Sequence, residues 1–487
     1  MTDVDYDLAV QYLLSFADFE TSGRFQERPD VAPVLSLLRR LGDPHLGRLT
    51  VHVAGSKGKG SVSAMIESML RAPGLRTGMF TSPHLHDYTE RIRVGGEPIA
   101  PEEFARLVSE LQPPIEAERV AIGERRFVTF DLLTAMAFVA FREAGVEAQV
   151  IEAGLGGRLD STNVFAAKEV AVITPLSYEH TAILGDRIEQ IAAEKAAIIT
   201  RDCTAVLAPQ RYPEAANVVR DFAAKAGATL VDVTAEYRWS ISEQDLHGQA
   251  IRIERPRGAI DVRLPLLGSH QAENAATAVA AVDALVSPPR EKQGGSGGHP
   301  QAPGMEASLP FTHRDERRRW PDARSERLDE AIVRGLESVD WPGRLEVLRE
   351  RPLVIADGAH NAESARRLRE ALEELAPGRR VTFIIGSGAD KDISGLAAEL
   401  APAAGRLIAT RTAHPRAMDA RLIVQAFGAV GVRGEDVDSV PEAIERALAA
   451  TDEGGVICLA GSLFVAAEAR EYMCKQTSEP AGGVHGG

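Results

Sequence analysis

The residues Gly55-Ser56-Lys57-Gly58-Lys59-Gly60-Ser61 bring glycines, hydroxyls and two lysines together in one short string. That composition suits phosphate capture. Glycines let several backbone N–H groups turn toward one anion without Cβ clashes, and a helix that starts there adds positive partial charge. Lys59 can reach the outer phosphates of a nucleotide, and Ser61 can stand beside Mg²⁺. The string is not a strict G-x-x-x-x-G-K-[ST], because Gly60 separates Lys59 from Ser61. Nor is it a dinucleotide fingerprint: Gly58 and Gly60 fit the first two glycines of G-x-G-x-x-G, but Ser63 occupies the third.

Two further groups are placed for metal chemistry. Glu152 falls at the end of the apolar run 148–153, and His180 follows the run 169–174. In open α/β sheets the carboxyl ends of parallel strands border the ligand crevice. A carboxylate there, near nucleotide phosphates, is a candidate Mg²⁺ ligand, since Mg²⁺ takes oxygen donors. A lone histidine is ordinarily a surface or core residue, but one at the same edge beside a second candidate ligand points to function. Lys195 lies in a helix-patterned stretch, 187–199, and taken alone reads as a solvent-facing lysine.

These residues need a scaffold of alternating strands and helices. Strand-like runs at 49–54, 148–153 and 169–174 alternate with helical patterns at 61–71, 130–144 and 187–199. Such alternation predicts parallel βαβ units in a doubly wound sheet. Two helical faces are expected within 7–41, an antiparallel edge within 229–264, and a long alanine-rich helix at 269–286. Residues 287–325, with SPPREKQGGSGG and HRDERRRW, read as a flexible linker or insertion, and Arg317–319 as a solvated charge run. A second alternation follows, with strands near 352–356, 381–386, 407–410 and 456–460. The expected organisation is therefore an N-terminal unit at 1–286, a linker at 287–325, a C-terminal α/β unit at 326–475 and a disordered tail at 476–487.

Composition narrows the function. The chain has 487 residues, 44% of them hydrophobic and 26% charged, enough apolar material for packed cores. Its 55 basic and 70 acidic residues give a net charge of −15, which argues against a broad nucleic-acid-binding surface. The three cysteines form no C-x-x-C pair, so no zinc knuckle or disulfide framework is expected. No run approaches ~18 apolar residues, and the start MTDVDYDLAV lacks a signal sequence. A cytoplasmic protein acting on small molecules is expected, with no membrane or nucleic-acid partner.

The string VAGSKGKGS resembles the ATP-binding loop of the Mur ligase superfamily, especially its folylpolyglutamate synthase/dihydrofolate synthase branch. Other strings match in the same order: Thr81-Ser82-Pro83-His84-Leu85, Glu90-Arg91-Ile92, Ile151-Glu152-Ala153-Gly154-Leu155-Gly156-Gly157-Arg158-Leu159-Asp160, Glu179-His180-Thr181 and Glu194-Lys195-Ala196. The C-terminal half adds Trp341-Pro342-Gly343-Arg344, Asp357-Gly358-Ala359-His360-Asn361 and His414-Pro415-Arg416. The resemblance implies an α/β fold: a P-loop Mur-ligase-type central ATPase domain with a mostly parallel sheet, plus a smaller Rossmann-like C-terminal domain.

It also implies an ATP-dependent ligase that adds L-glutamate to a tetrahydrofolate, and possibly to dihydropteroate, through an acyl phosphate. Lys59, Glu152, His180 and Lys195 would carry catalysis. Two Mg²⁺ ions would be held by Ser82 and Glu152 and by His180 and a carbamate on Lys195. ATP would meet Gly55 to Ser61, Asn274, Arg344 and Asp357. Val128, Thr129, Phe130, Asp131, Leu159, Asp160 and Ser161 match segments lining the pteroate pocket, and His360 joins them on the substrate side. Phe130 could stack on a flat heterocycle or simply pack in the core. The family commonly has Thr at Ser56, Asn at Lys57, Asp at Glu179 and Glu at Asp131. Two alternatives stand beside it: a Mur-type ligase for a cell-wall precursor, disfavoured because the N-terminal helices run straight into the P-loop unit, and a non-catalytic nucleotide-binding protein on the same fold, disfavoured because Lys59, Glu152, His180 and Lys195 are all present. Members of the family are often monomeric.

Overall fold

The computed structural model describes residues 3–17, 30–121, 127–286 and 326–478. The expected linker 287–325 lies outside them, as do residues 479–487 of the tail. The helix Leu463–Ser478 runs three residues into the segment expected as tail.

Eight strands form the first sheet: β1 (Leu49–Ala54), β2 (Thr77–Phe80), β3 (Ile92–Val94), β4 (Glu97–Pro98), β5 (Ala148–Glu152), β6 (Val170–Ile173), β7 (Thr204–Leu207) and β8 (Thr229–Asp232), in the order β4-β3-β2-β5-β1-β6-β7-β8. From β2 to β8 the pairing is parallel, and β3 and β4 close one edge antiparallel. β1 is central, level with β5 (Val53 opposite Glu152) and with β6 (Ala54 opposite Ile173). Four adjacent strands, β2, β5, β1 and β6, thus end side by side.

Their sequences are apolar throughout because both faces are covered. On one face Val51, Val53, Val150, Val170 and Val172 pack under the helices Lys59–Arg71 and Ser269–Val286. On the other, Phe80 and Ile151 meet the helices Pro101–Ala121 and Thr129–Glu143, while Ala171, Ile173, Ala205 and Leu207 meet Ile188–Ala196 and Pro213–Ala226.

Residues 229–264 depart from the expected single antiparallel edge. β8 is a parallel strand of the main sheet, whereas β9 (Arg238–Asp245), β10 (Gly248–Arg255) and β11 (Gly258–Leu264) form a separate antiparallel sheet. Ile251, Ile253, Ile260 and Val262 alternate toward the first core, so this small sheet has one apolar face to bury. The helix Glu326–Glu337 was expected with the C-terminal unit, yet Leu328, Ile332 and Leu336 lie in the first core. At Gly335 a Cβ would come 2.4 Å from Met69 Cα, and Ser68 Oγ donates to Gly335 O at 2.7 Å. Only glycine permits that approach. The chain passes to the second core between Trp341, which still packs on the first, and Leu345.

The second sheet has the order β12 (Glu346–Glu350), β13 (Leu353–Ala356), β17 (Val456–Ala460), β14 (Val381–Ile385), β15 (Ala404–Ala409) and β16 (Gly434–Asp436). Only β12 is antiparallel. Helices cover both faces, giving two apolar layers around Phe383 and Leu407 and around Ile384 and Ile408. The two sheets are joined by contacts across a cleft, including Arg211 to Glu363 at 2.5 Å and Arg367 to Glu273 at 3.7 Å. No helix among the described residues is long and apolar enough to cross a membrane.

Candidate active site

β1 delivers the loop that opens the helix Lys59–Arg71. The loop is pinned from behind: Ser56 N and Lys57 N both donate to Pro175 O at 3.0 Å, and Ser56 Oγ donates to Ser177 O at 3.1 Å. Gly58 caps the helix at φ 80°, and a Cβ there would strike Asn274 Oδ1. Val62 N makes the first intrahelical bond, to Gly58 O at 2.9 Å. The N–H groups of Lys59, Gly60 and Ser61 precede it, as an anion site at a helix start requires.

The neighbouring strands bring charge to that loop. Glu152 ends β5, is buried, and stands 4.0 Å from Lys59 Nζ. Its Oε2 accepts from Ser82 N at 3.3 Å, so β2 and β5 meet here. Burial raises the Glu152 pKa to about 7, opposed by Lys59, the Ser82 N–H and Arg344. Behind Ser82, Glu90 holds the loop by accepting from Leu85 N at 2.7 Å and His86 N at 2.9 Å, while Arg91 Nε donates to His84 Nδ1 at 2.9 Å.

Glu179, after β6, is the hub of the lysines. Its Oε1 accepts from Lys195 Nζ at 2.8 Å, and its Oε2 lies 3.5 Å from Lys57 Nζ. Burial alone would push this carboxylate up, but Lys195, Lys57 and Lys59 outweigh it and hold it well below the ordinary range. Lys195 is 2% exposed and also donates to Gly55 O at 2.8 Å. Burial lowers its pKa, with Glu179 opposing. The exposed His180, at φ 48°, starts the short helix Thr181–Leu184 within electrostatic reach of Glu179, Lys391, Lys195 and Lys59. Lys57 and Glu179, two of the four departures from the expected family pattern, therefore pair with each other. Sequence reading set Glu179 beside the site but did not find it as the shared counter-ion, since the pairing spans distant strands.

The second half supplies the opposite wall. Asp357 follows β13, and its two oxygens accept from Leu345 N at 2.9 Å and Ala359 N at 2.8 Å. Arg344 reaches electrostatically to both Asp357 and Glu152. His360 Nδ1 lies 2.9 Å from Gly358 O, and burial, then Lys57, lowers its pKa to about 3. Asn274 Nδ2 donates to Gln271 Oε1 at 3.0 Å, and Gln271 Nε2 to Ser61 Oγ at 3.4 Å, tying the second helix to the loop. Trp341, matched by sequence but given no role, abuts Gly60. Its Nε1 is buried without an acceptor among the described residues.

The residues expected around the pteroate pocket divide. Asp131 is buried with its oxygens bonded to Val128 N at 2.9 Å and Ser161 Oγ at 2.5 Å; burial raises its pKa to about 7. Thr129 Oγ1 donates to Leu13 O at 2.9 Å. These polar atoms are engaged within the protein. Half-buried Phe130 lies 5.6 Å from the Phe80 ring and directly under Gly154. Leu159 is half-buried, and Asp160 Oδ2 accepts from Leu155 N at 2.7 Å. Two cavities border the site. One, about 1120 Å³, lies between residues 85–90 and the helix Leu463–Ser478; the other, about 370 Å³, is bounded by Trp341 and Arg344.

The residues present fit a nucleotide and a hard cation. Trp341 Nε1 is an orphaned donor beside the loop, Lys57, Lys59 and Lys195 cluster there, and Ser61, Ser82 and Glu152 offer oxygen donors. Among the described residues no three His, Cys, Asp or Glu side chains converge as a metal cluster.

A P-loop sheet facing a second α/β sheet across a charged cleft defines a two-domain nucleotide-dependent enzyme of the Mur ligase class. The Mur ligase middle domain matches residues 53–282, and the Mur ligase glutamate ligase domain matches residues 343–463. A Haloferax volcanii protein described as a "probable bifunctional folylpolyglutamate synthase/dihydropteroate synthase" is 34% identical over 96% of this chain, which spans 50% of that protein's length. The dihydrofolate synthase/folylpolyglutamate synthase of Mycobacterium tuberculosis is 32% identical over 91% of this chain and 89% of its own. The structure of Escherichia coli FolC in complex with DHPP and ADP superposes with a TM-score of 0.77 at 28% identity, covering 97% of this chain and 98% of that one. The chain belongs to the folylpolyglutamate synthase/dihydrofolate synthase branch of the Mur ligase family.

Proposed function

We propose that this chain is an ATP-dependent ligase that joins L-glutamate to a tetrahydrofolate, and also to dihydropteroate, through an acyl phosphate. The observation that supports it best is the convergence of Lys59, Glu152 and Glu179, from the ends of β1, β5 and β6, with Lys195 from the helix Ile188–Ala196, opposite Arg344 and His360. The FolC relative carries DHPP and ADP together, which agrees with a nucleotide and a second small molecule in one cleft.

In this reading an oxygen of the substrate carboxylate attacks the γ-phosphorus and ADP leaves. The glutamate amine then attacks the acyl carbon, loses a proton, and inorganic phosphate departs as the amide forms. Lys59 and the loop N–H groups hold the phosphates and offset charge in the transferring group. Ser82 and Glu152 would hold one Mg²⁺, and His180 with a carbamate on Lys195 a second. Those ions supply charge neutralisation on the phosphates. A buried, pKa-lowered Lys195 amine is suited to react with CO₂. Arg344, Asp357 and Asn274 bind the nucleotide, and His360 faces the incoming reactant. Closing the cleft orients the two substrates and excludes water. We read the enzyme as a cytoplasmic monomer.

The test is amide formation and ADP release by the full chain, with ATP, Mg²⁺ and L-glutamate, on tetrahydrofolate, dihydropteroate and a muramyl peptide in parallel. Turnover confined to the pteridines is the expected result. Turnover of the muramyl peptide alone, or ATP cleavage with no amide, would overturn it.

A further inference from the structure

Beneath the crevice, the middle of β1 carries a histidine where its neighbours are apolar. His52 is fully buried on the face where the two helix layers of the first sheet meet. Its Nε2 lies 2.9 Å from Thr162 Oγ1 and its Nδ1 2.8 Å from Lys168 Nζ. Lys168, 6% exposed, also donates to Ile198 O at 2.8 Å. Thr162 Oγ1 bonds to Asp160 Oδ1, which accepts from Thr162 N at 3.0 Å as well. Phe165 seals the group, edge-on to the His52 ring and 5.5 Å from Lys168 Nζ.

With Asp160 ionised, one assignment of protons satisfies the chain. Its carboxylate only accepts, so the single Thr162 hydroxyl proton points to it. The Thr162 oxygen then accepts from His52 Nε2–H, which leaves Nδ1 to accept from Lys168. Two amine protons serve His52 and Ile198 O, so a neutral lysine suffices. Burial brings the Lys168 pKa down to about 7, and burial, then Lys168, keeps His52 well below its ordinary value. Every bond in the row runs one way, from Lys168 through His52 and Thr162 to Asp160. Asp160 in turn anchors Leu155 N at 2.7 Å, and so the whole loop that follows Glu152.

We propose that Lys168 and His52 are positioning residues: through Thr162 they fix the Asp160 loop, residues 154–161, as a wall of the pocket that takes the pteridine end of the substrate. The inference rests on the folate reading above. A lysine just ahead of β6, outside every motif, then sets affinity for one substrate of the three.

Steady-state kinetics of the full chain test it, with tetrahydrofolate varied at saturating ATP and L-glutamate. Lys168→Met and Thr162→Val should each raise the pteridine KM about tenfold, the scale of one lost buried hydrogen bond. The kcat should stay within about threefold and the ATP KM unchanged, and Thr162→Ser, which keeps the hydroxyl, should restore the pteridine KM. If Lys168→Met does not fold, Thr162→Val against Thr162→Ser reads the same link. An unchanged pteridine KM, or equal changes in all three KM values, overturns the inference while the unsubstituted enzyme still ligates folate. An unsubstituted enzyme that ligates no pteridine overturns the functional reading itself, and the inference with it.

Discussion

The carboxyl ends of two parallel sheets face each other across the cleft, and they are built on different principles. At the first, charged side chains hold one another: Lys195 and Lys57 share Glu179, Lys59 stands by Glu152, and His52 and Lys168 lie buried underneath. At the second, the functional groups are held by backbone. Asp357 is fixed by two N–H groups and His360 lies against a carbonyl, while the central strand β17 carries a buried, inert Cys458, its thiol raised by burial. A fixed cluster of opposed charges suits phosphoryl transfer, where preorganised dipoles matter most. A wall of separately anchored residues suits binding across a closing cleft. The first edge should thus respond to mutation in kcat, the second mainly in kcat/KM.

The largest effect is expected at Lys59. Lys59→Ala removes the charge on the phosphates and should lower kcat on the order of 10²–10³-fold. The fold should survive, because among the described residues the one ion pair Lys59 makes, with Glu152, is long at 4.0 Å, and circular dichroism and thermal unfolding check that the variant is folded. Near-normal turnover by the folded variant would break the contrast at its stronger end.

A smaller loss is expected across the cleft. Arg344→Ala should reduce kcat/KM for ATP roughly tenfold, since Arg344 orients rather than bears the transferred charge. Arg344→Lys should recover only part of it, because the guanidinium fork is lost. Initial rates over a range of ATP concentrations check this. A loss equal to that of Lys59→Ala would show the second edge to be as catalytic as the first.

Much of the first edge was legible because its signals are local. β1 and β17 and the helix Ser269–Val286 fall where apolar runs and helical period put them. Glycines beside lysines announce a phosphate loop within a few residues. Less was legible where elements are short or depend on distant partners. β3 and β4, of three and two residues, and the half-exposed β12 offer too few positions for a period. The helix Pro101–Ala121 contains Pro113 and Pro114, residues that ordinarily interrupt a helix, and no element was expected there. The helix Glu326–Glu337 joins the first core through a contact 267 residues apart in the chain, and nothing local tells Leu328 which core it enters. Lys168 shows the limit most clearly. In AAKEV it looks like a solvated lysine, and only the folded packing of His52 and Phe165 around it makes it a buried amine.

That burial gives the smallest and most specific contrast between the two sheets. The Lys168 pKa is about 7 in the folded chain and 10.5 ordinarily, so the unfolded chain binds more protons between those values. Folding stability must therefore rise with pH across that window, by up to about 1.4 kcal/mol per unit. Below pH 7 both states are protonated, and the folded state bears the full cost of a buried cation. Lys168→Met removes this term. It also removes the bonds to His52 and Ile198 O, a loss that does not titrate in the same window. The difference in stability between Lys168→Met and the unsubstituted chain should accordingly favour the variant most near pH 7 and shrink steadily toward pH 9.5. Urea unfolding of both proteins at half-unit intervals measures it. In the second sheet burial holds the Cys458 thiol well above its ordinary pKa of 9.0, so the unfolded thiol ionises first, and Cys458→Ala should gain on the unsubstituted chain as pH rises toward 9.5, the opposite trend. A flat Lys168→Met difference, or one that grows with pH as the Cys458→Ala difference should, would mean that the buried amine does not titrate in this window.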